Sequence, residues 1–183
     1  MPSVISHAVA AIALKSAFPE PAVPRRLMVL GTVCSMAPDF DVIGFGFGIR
    51  YGDLLGHRGM THSITFAAVL ALLGTLAAFP RPLPAVRRGL VWLYLFLATA
   101  SHGLLDAMTD GGLGIAFFSP FSNARYFFPF APICVCPIGG FSFFSARGMT
   151  ALLSEILWIW IPSLVFFITV VILRRIWRTA EET

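Results

Sequence analysis

Gly89-Leu-Val-Trp-Leu-Tyr-Leu-Phe-Leu-Ala-Thr-Ala-Ser-His102-Gly-Leu-Leu-Asp106-Ala-Met108 decides the fold. No charged residue interrupts it before Asp106, and its length matches the roughly 20 apolar residues that carry a helix across a bilayer. His102 and Asp106 are four apart, hence on one helical face near one end. Ionisable groups in spanning segments are costly, so their presence marks a functional site.

Three further stretches read as spans: Leu27–Phe45, Ser63–Phe79 and Leu152–Leu173. Val4–Phe18 is shorter and carries His7 and Lys15, so it spans only if Lys15 snorkels, or else lies half inserted. The expectation is an all-α membrane protein, a single integral-membrane domain over residues 1–183, with about five membrane helices, the first one short. Hydrophobic residues make up 57% of the chain and charged ones 12%, which excludes an ordinary soluble domain. Met1–His7 lacks a basic region, and no small-residue cleavage site follows, so the first segment is expected to remain in the mature protein.

Basic residues set the expected orientation. Lys15, Arg25 and Arg26 flank the first connection, Arg81, Arg87 and Arg88 the third, and Arg174, Arg175 and Arg178 follow the last helix. The alternate connections hold Arg50 and Arg58, then Arg125 and Arg147. This bias predicts an exterior N-terminus and a cytoplasmic C-terminus. The net charge of +4 is therefore a topology signal and implies no nucleic-acid partner.

Residues 109–150 are too long for a simple connection and are rich in Phe, Pro and Gly, including Phe117-Phe118-Ser-Pro, Tyr126-Phe-Phe-Pro-Phe and Pro137-Ile-Gly-Gly. Such a loop is expected on the exterior side, packed on the bilayer or folded over the site as a lid. Cysteine says little. Cys34 reads as a small apolar filler, and Cys134 and Cys136 are too close in sequence for an unstrained bridge.

In this topology all four histidines reach one membrane face. His7 opens the first segment, Asp39 and Asp41 close the second, and His57 and His62 precede and open the third. His102 and Asp106 close the fourth. Asp39 and Asp41 follow Pro38, and alternation in an extended turn would point both carboxylates the same way. His57 and His62 do not share a helical stripe, so two imidazoles can approach one centre from different directions. Mixed imidazole and carboxylate without thiolate suits a divalent metal, zinc first, with manganese or iron possible. Seven candidate ligands exceed one tetrahedral shell, which points to one or two ions. Asp41, as general base or bridging ligand, and Arg58 are the candidate catalytic residues, and Arg58, Arg125 and Arg147 are candidates for holding phosphate. Asp53 and Asp110 are candidates for orienting a ligand, and Glu155 for the same role or for a favourable helix-start charge.

Taken together, His7, Ala37-Pro-Asp-Phe-Asp41, His57-Arg-Gly-Met-Thr-His-Ser63 and Ser101-His-Gly-Leu-Leu-Asp106 resemble the YdjM-like family of LexA-regulated inner-membrane metal-dependent hydrolases. Gly111-Gly-Leu-Gly, Ser119-Pro-Phe-Ser and Arg125-Tyr-Phe-Phe-Pro extend the resemblance to about Gly140. It implies a bacterial inner membrane and hydrolysis. The order His, Asp, His, His-x-x-x-Asp is also similar to the first part of the zinc-dependent phospholipase C and nuclease pattern. No histidine follows His102, so the later ligands of that pattern are missing.

The function expected from this reading is a membrane-embedded metal-dependent hydrolase with its site at the periplasmic face. Its expected substrate is a lipid or lipid-linked phosphoester, with membrane lipids as its partners. The alternative is a metal-binding structural or regulatory membrane protein, or a metal transporter. The nearly apolar stretches Ile64–Leu76 and Val91–Thr99 argue against a transport path.

Overall fold

α4 (Ala85–Ala107) is the axis around which the other helices gather. In the computed structural model, which describes all residues except 21, 80–83, 137–144 and 182–183, Val91, Tyr94, Leu95 and Ala98 of this helix are fully buried. They pack with Ala11 of α1 (Val4–Lys15), with Leu27 and Cys34 of α2 (Arg26–Met36) and with Ala71 of α3 (Ile64–Ala78). A glycine makes the closest contact possible. A Cβ at Gly31 would overlap the Tyr94 ring, so its absence lets that ring pass between α2 and α1. The Tyr94 hydroxyl then donates to the Ala11 carbonyl at 3.4 Å.

The described residues form helices joined by loops, with only two isolated bridges, Thr109–Ile133 and Ile115–Tyr126. Three apolar helices are long enough to cross a membrane: Arg26–Phe47, Arg87–Ala107 and Ala146–Ala180. Two shorter ones, Val4–Lys15 and Ile64–Ala78, complete the five apolar segments read from the sequence.

Several details differ from expectation. Ser63–Phe79 was expected to span, but α3 has 15 residues. At about 1.5 Å per residue it covers roughly 22 Å, short of a hydrocarbon core of about 30 Å. Lys15 does not snorkel; it is buried and pairs with Glu20 at 3.0 Å. After Pro38 the chain does not extend, because α2 tightens into a 3₁₀ helix, Ala37–Phe47, capped by Gly48 in the left-handed region. With three residues per turn, positions i and i+2 lie about 240° apart, and Asp39 and Asp41 meet opposite nitrogens of the His62 ring.

The last helix begins earlier than expected. The Ser145 hydroxyl caps α5 (Ala146–Glu155) by accepting from the Gly148 N–H at 3.2 Å. α5 continues through a π turn, Ile156–Trp160, into α6 (Ile161–Glu181). In an α-helix, residues five apart point about 140° away from each other. A π turn closes by i to i+5 bonding and brings them to one side. Glu155 and Trp160 accordingly both reach Ser6: its hydroxyl donates to Glu155 at 2.6 Å and accepts from the Trp160 indole N–H at 2.8 Å. The Ser3 N–H adds a bond to Glu155 at 2.7 Å, so a fully buried carboxylate ties the start of α1 to the last helix. Because the helix starts at Ala146, Glu155 is not the helix-start charge expected from the sequence.

The segment after α4 folds back over the helix ends. Within it Ile115, Ala116 and Ile133 are buried, while Phe118, Phe121, Phe127 and Phe130 stay exposed. Pro137–Gly140 and Arg81, singled out in the sequence, lie outside the described residues.

Candidate metal centre

His102 and Asp106 stand on the last turns of α4, where the spacing predicted a shared face. Opposite them, α2 ends, leaving carbonyls without helical partners. The Ser35 carbonyl is 2.7 Å from His102 Nδ1, which must therefore carry the proton. His102 Nε2 is left with a lone pair directed into the cluster.

His62 is prepared in the same way from the other side. It closes the short 3₁₀ turn Met60–His62, and its Nδ1 lies 3.2 Å from Asp41 Oδ2. The Thr61 hydroxyl donates to the same oxygen at 2.6 Å. His62 Nε2 thus also points a lone pair inward, 3.1 Å from His102 Nε2. Two lone pairs at that separation repel unless a proton or a metal ion lies between them.

Two carboxylates close the figure. Asp39 Oδ1 lies 3.3 Å from His102 Nε2 and 3.7 Å from His62 Nε2. Asp106 Oδ2 lies 3.4 Å from His62 Nε2 and 4.0 Å from His102 Nε2. Bonds of about 2.0–2.1 Å to a tetrahedral zinc imply ligand separations of about 3.3–3.4 Å. All four donor atoms lie within 4.8 Å of one another.

The fit is supported by what the cluster leaves unsatisfied. Both oxygens of Asp39 and of Asp106, and both ring nitrogens of His7, are buried without a hydrogen-bond partner. Such atoms are rarely left so in native interiors. Arg58 reaches Asp106 at 3.3 Å, while Asp39 and Asp41 lie against imidazoles, so three carboxylates are gathered around the ring nitrogens. Burial alone would lower the basicity of His62, but bonds to Asp106, Asp39 and Asp41 outweigh it and raise the imidazole to about 10. The carboxylates thus attract positive charge to the point where the ligand atoms converge.

The seven sequence candidates join one network, in different roles. Asp39, His62, His102 and Asp106 form the tetrahedral group. Asp41 is saturated by Thr61, His62 and His57, the last at 2.7 Å, and this matches an orienting residue rather than a ligand of that group. Asp41, His57 and His62 form a second possible grouping, but it would use the other nitrogen of the same His62. His7 stacks on His102 with ring centroids 3.7 Å apart, and its Nε2 lies 3.7 Å from Asp106 Oδ1.

The arginines and remaining acids are placed differently from expectation. Arg58 does not present a free guanidinium for phosphate. It is fully buried, reaches Asp106 at 3.3 Å and donates to the Gly111 and Leu113 carbonyls and the Thr109 hydroxyl. Its backbone has φ 62°, a conformation strained for a side chain of this size. Arg125 is likewise committed to the carbonyls of His57, Gly114, Tyr51 and Asp53. Arg147 is exposed in the first turn of α5. Asp53 pairs with Arg50, and Asp110 accepts from the Val135 N–H, so both staple loops rather than orient a histidine. Sequence reasoning missed Thr61 and the Ser35 carbonyl. Thr61 sits inside the quoted His57–Ser63 block, whereas a backbone carbonyl leaves no trace in residue types.

A helical membrane protein whose helix ends enclose a His/Asp cluster of metal-binding type is the class defined by this fold and site. The chain belongs to the YdjM inner membrane protein family, whose model matches residues 1–179. It is 37% identical over 166 residues to the inner membrane protein YbcI of Escherichia coli (strain K12), covering 90% of this chain and 94% of that protein. No solved structure matches it.

Proposed function

We propose that this protein is a metal-dependent hydrolase that cleaves a lipid or lipid-linked phosphoester at the outer face of the inner membrane. The observation that carries the proposal is the set of buried carboxylate oxygens on Asp39 and Asp106, without hydrogen-bond partners, facing the Nε2 atoms of His62 and His102. These four residues would hold one ion, zinc first by donor type, with manganese or iron as alternatives. Such an ion supplies acidification of water and polarisation of a phosphoryl oxygen.

The chain's own residues supply the rest. Asp39 is the least enclosed of the acids, at 7% side-chain exposure against 2% for Asp41 and none for Asp106, so substrate approaches from its side. Phe40, Ile43 and Phe47 on the same 3₁₀ helix are exposed and give that approach an apolar floor suited to acyl chains. Asp41 holds a proton on His57 Nδ1, leaving Nε2 able to accept one, so the Asp41–His57 pair serves as the general base. The distribution of basic residues favours an exterior site. The lipid substrate follows from location and surface. Soluble phosphoesters are the comparison substrates.

Elemental analysis of detergent-purified protein tests the foundation, beside a His102→Ala/Asp106→Ala variant. The expected result is about one transition metal per chain, absent from the variant. A wild type that stays metal-free after zinc and manganese reloading overturns the reading. A screen of lipid phosphoesters then tests hydrolysis.

The near-complete burial of the cluster favours a second reading, a metal staple that fastens the ends of α1, α2, α3 and α4 without turnover. His57→Ala separates the two. Under the first reading it abolishes hydrolysis while metal is retained. Under the second there is no hydrolysis to lose.

A further inference from the structure

At the end of α1 remote from His7, the structure carries a feature that the metal centre does not use. We propose that the groove between α1 and α6 is a binding site for one anionic phospholipid, separate from the metal centre. Two cavities, of about 390 and 470 Å³, lie along α6, the first against Val9, Ile12 and Ala13 of α1 and the second against Ala17, Pro19 and Glu20 in the turn that follows α1. Their walls on the last helix are Trp160 of the π turn with Leu164 and Phe167 of α6 in one, and Val170, Arg174 and Arg178 of α6 in the other. These positions continue at three- and four-residue spacing along one helical face, and Val9, Ala13 and Ala17 oppose them in similar steps. The two cavities thus lie in line along one face of the last helix and together form the proposed groove. Its apolar length, Trp160 to Leu173, is about 20 Å at 1.5 Å per residue, more than the roughly 15 Å depth of one leaflet's hydrocarbon.

The chemistry changes at one end. Arg174 and Arg178 are four apart, hence neighbours on that face, with Trp177 beside them. Glu20, the one acid in the lining, is engaged by Lys15 at 3.0 Å and Arg25 at 3.5 Å. Arg174 and Arg178 line the cavity beside a carboxylate already paired with Lys15 and Arg25, so that end carries excess positive charge. Guanidinium groups suit phosphate oxygens, and tryptophan favours headgroup height. An acyl chain fills the apolar length while its anionic headgroup answers the excess positive charge, so a phospholipid matches both ends of the groove.

Native mass spectrometry of the full chain in mild detergent tests this, with phosphatidylglycerol and phosphatidylcholine offered in separate titrations. Three variants are compared: Arg174→Gln/Arg178→Gln, Val170→Trp, which fills the groove without changing charge, and Arg88→Gln/Arg175→Gln, which removes two exposed cations outside it. Each is first required to run as a single species with wild-type thermal unfolding. The expected result is one phosphatidylglycerol per wild-type chain. Affinity falls about thirtyfold in the arginine-pair variant, from about fivefold per basic residue near a headgroup, falls in Val170→Trp as well, and is unchanged in the outside pair. Equal retention of phosphatidylcholine overturns the proposal. So does an equal loss in the outside pair, full retention in either groove variant, or a dimer that occupies the groove instead.

Discussion

The Nε2 atoms of His62 and His102 are 3.1 Å apart, and each ring has its other nitrogen committed elsewhere, His62 to Asp41 and His102 to the Ser35 carbonyl. Neither ring can turn away without leaving a buried partner unsatisfied. The convergence is therefore imposed by the fold before any cation arrives, which is the sense in which the centre is preorganised.

The contact between Asp41 and His62 yields a graded prediction. Asp41→Asn and Thr61→Val are expected to keep the metal but weaken it about 10- to 100-fold, the usual consequence of disturbing a residue that orients a ligand. Asp106→Asn is expected to abolish stoichiometric binding. Competition with a chromogenic chelator distinguishes the two outcomes. Equal losses in Asp41→Asn and Asp106→Asn would place Asp41 among the ligands.

Arg58→Met tests whether this arginine is a strut. Its loss strands the buried Asp106 carboxylate and the carbonyls of Gly111 and Leu113. Breaking a buried pair in this way costs about 3–5 kcal/mol. Thermal unfolding in detergent should show a large drop even with chelator present. An unchanged melting temperature would return Arg58 to the role of a phosphate contact.

Glu155→Ala should loosen the first helix. It leaves the hydroxyls of Ser3 and Ser6 and the Ser3 N–H without their acceptor, at about 1–3 kcal/mol for each group left unpaired. Hydrogen exchange is expected to rise over Val4–Lys15 before it rises over α4. A uniform increase along the chain would mean that Glu155 does not act through α1.

Gly31→Ala is expected to destabilise by about 1–3 kcal/mol, because its methyl enters the space of the Tyr94 ring. Gly31→Ala/Tyr94→Leu should recover part of that loss. Additive losses would show that the two residues do not share the space.

In chelator, stability should depend on pH in a definite direction. His62 rises from its ordinary 6.5 to about 10 in the folded protein, so its contribution is complete below about pH 6.5 and fades as pH climbs toward 10. Melting temperatures of chelated protein at pH 6.5, 8 and 9.5 should therefore fall in that order. A flat profile in chelator would contradict the carboxylate environment of His62.

Much of this arrangement was legible in the chain. The apolar runs announced the helices, and the four-residue spacing of His102 and Asp106 placed both on one face of α4. The histidines and acids at the ends of alternate segments did meet. What stayed hidden depends on backbone. Nothing in Pro38-Asp-Phe-Asp41 declares that α2 tightens to a 3₁₀ helix rather than extending, so the divergence of Asp39 and Asp41 was missed. The π turn that brings Glu155 and Trp160 to one serine leaves no periodic signature in Ile156–Trp160. Arginines were read by charge, whereas Arg58 and Arg125 are used chiefly as multiple donors to loop carbonyls.

The 15 residues of α3 also bear on the lipid outside the protein. Ile64, Val69, Leu72, Leu73 and Leu76 face outward along a helix about 8 Å too short for the hydrocarbon around it. Lipids beside that flank are expected to compress their chains to meet it, drawing their polar heads toward the 3₁₀ turn Met60–His62 that precedes α3. The thickness of the surrounding bilayer then becomes a variable that reaches the metal centre, and reconstitution in shorter-chain lipid tests this without changing a single residue.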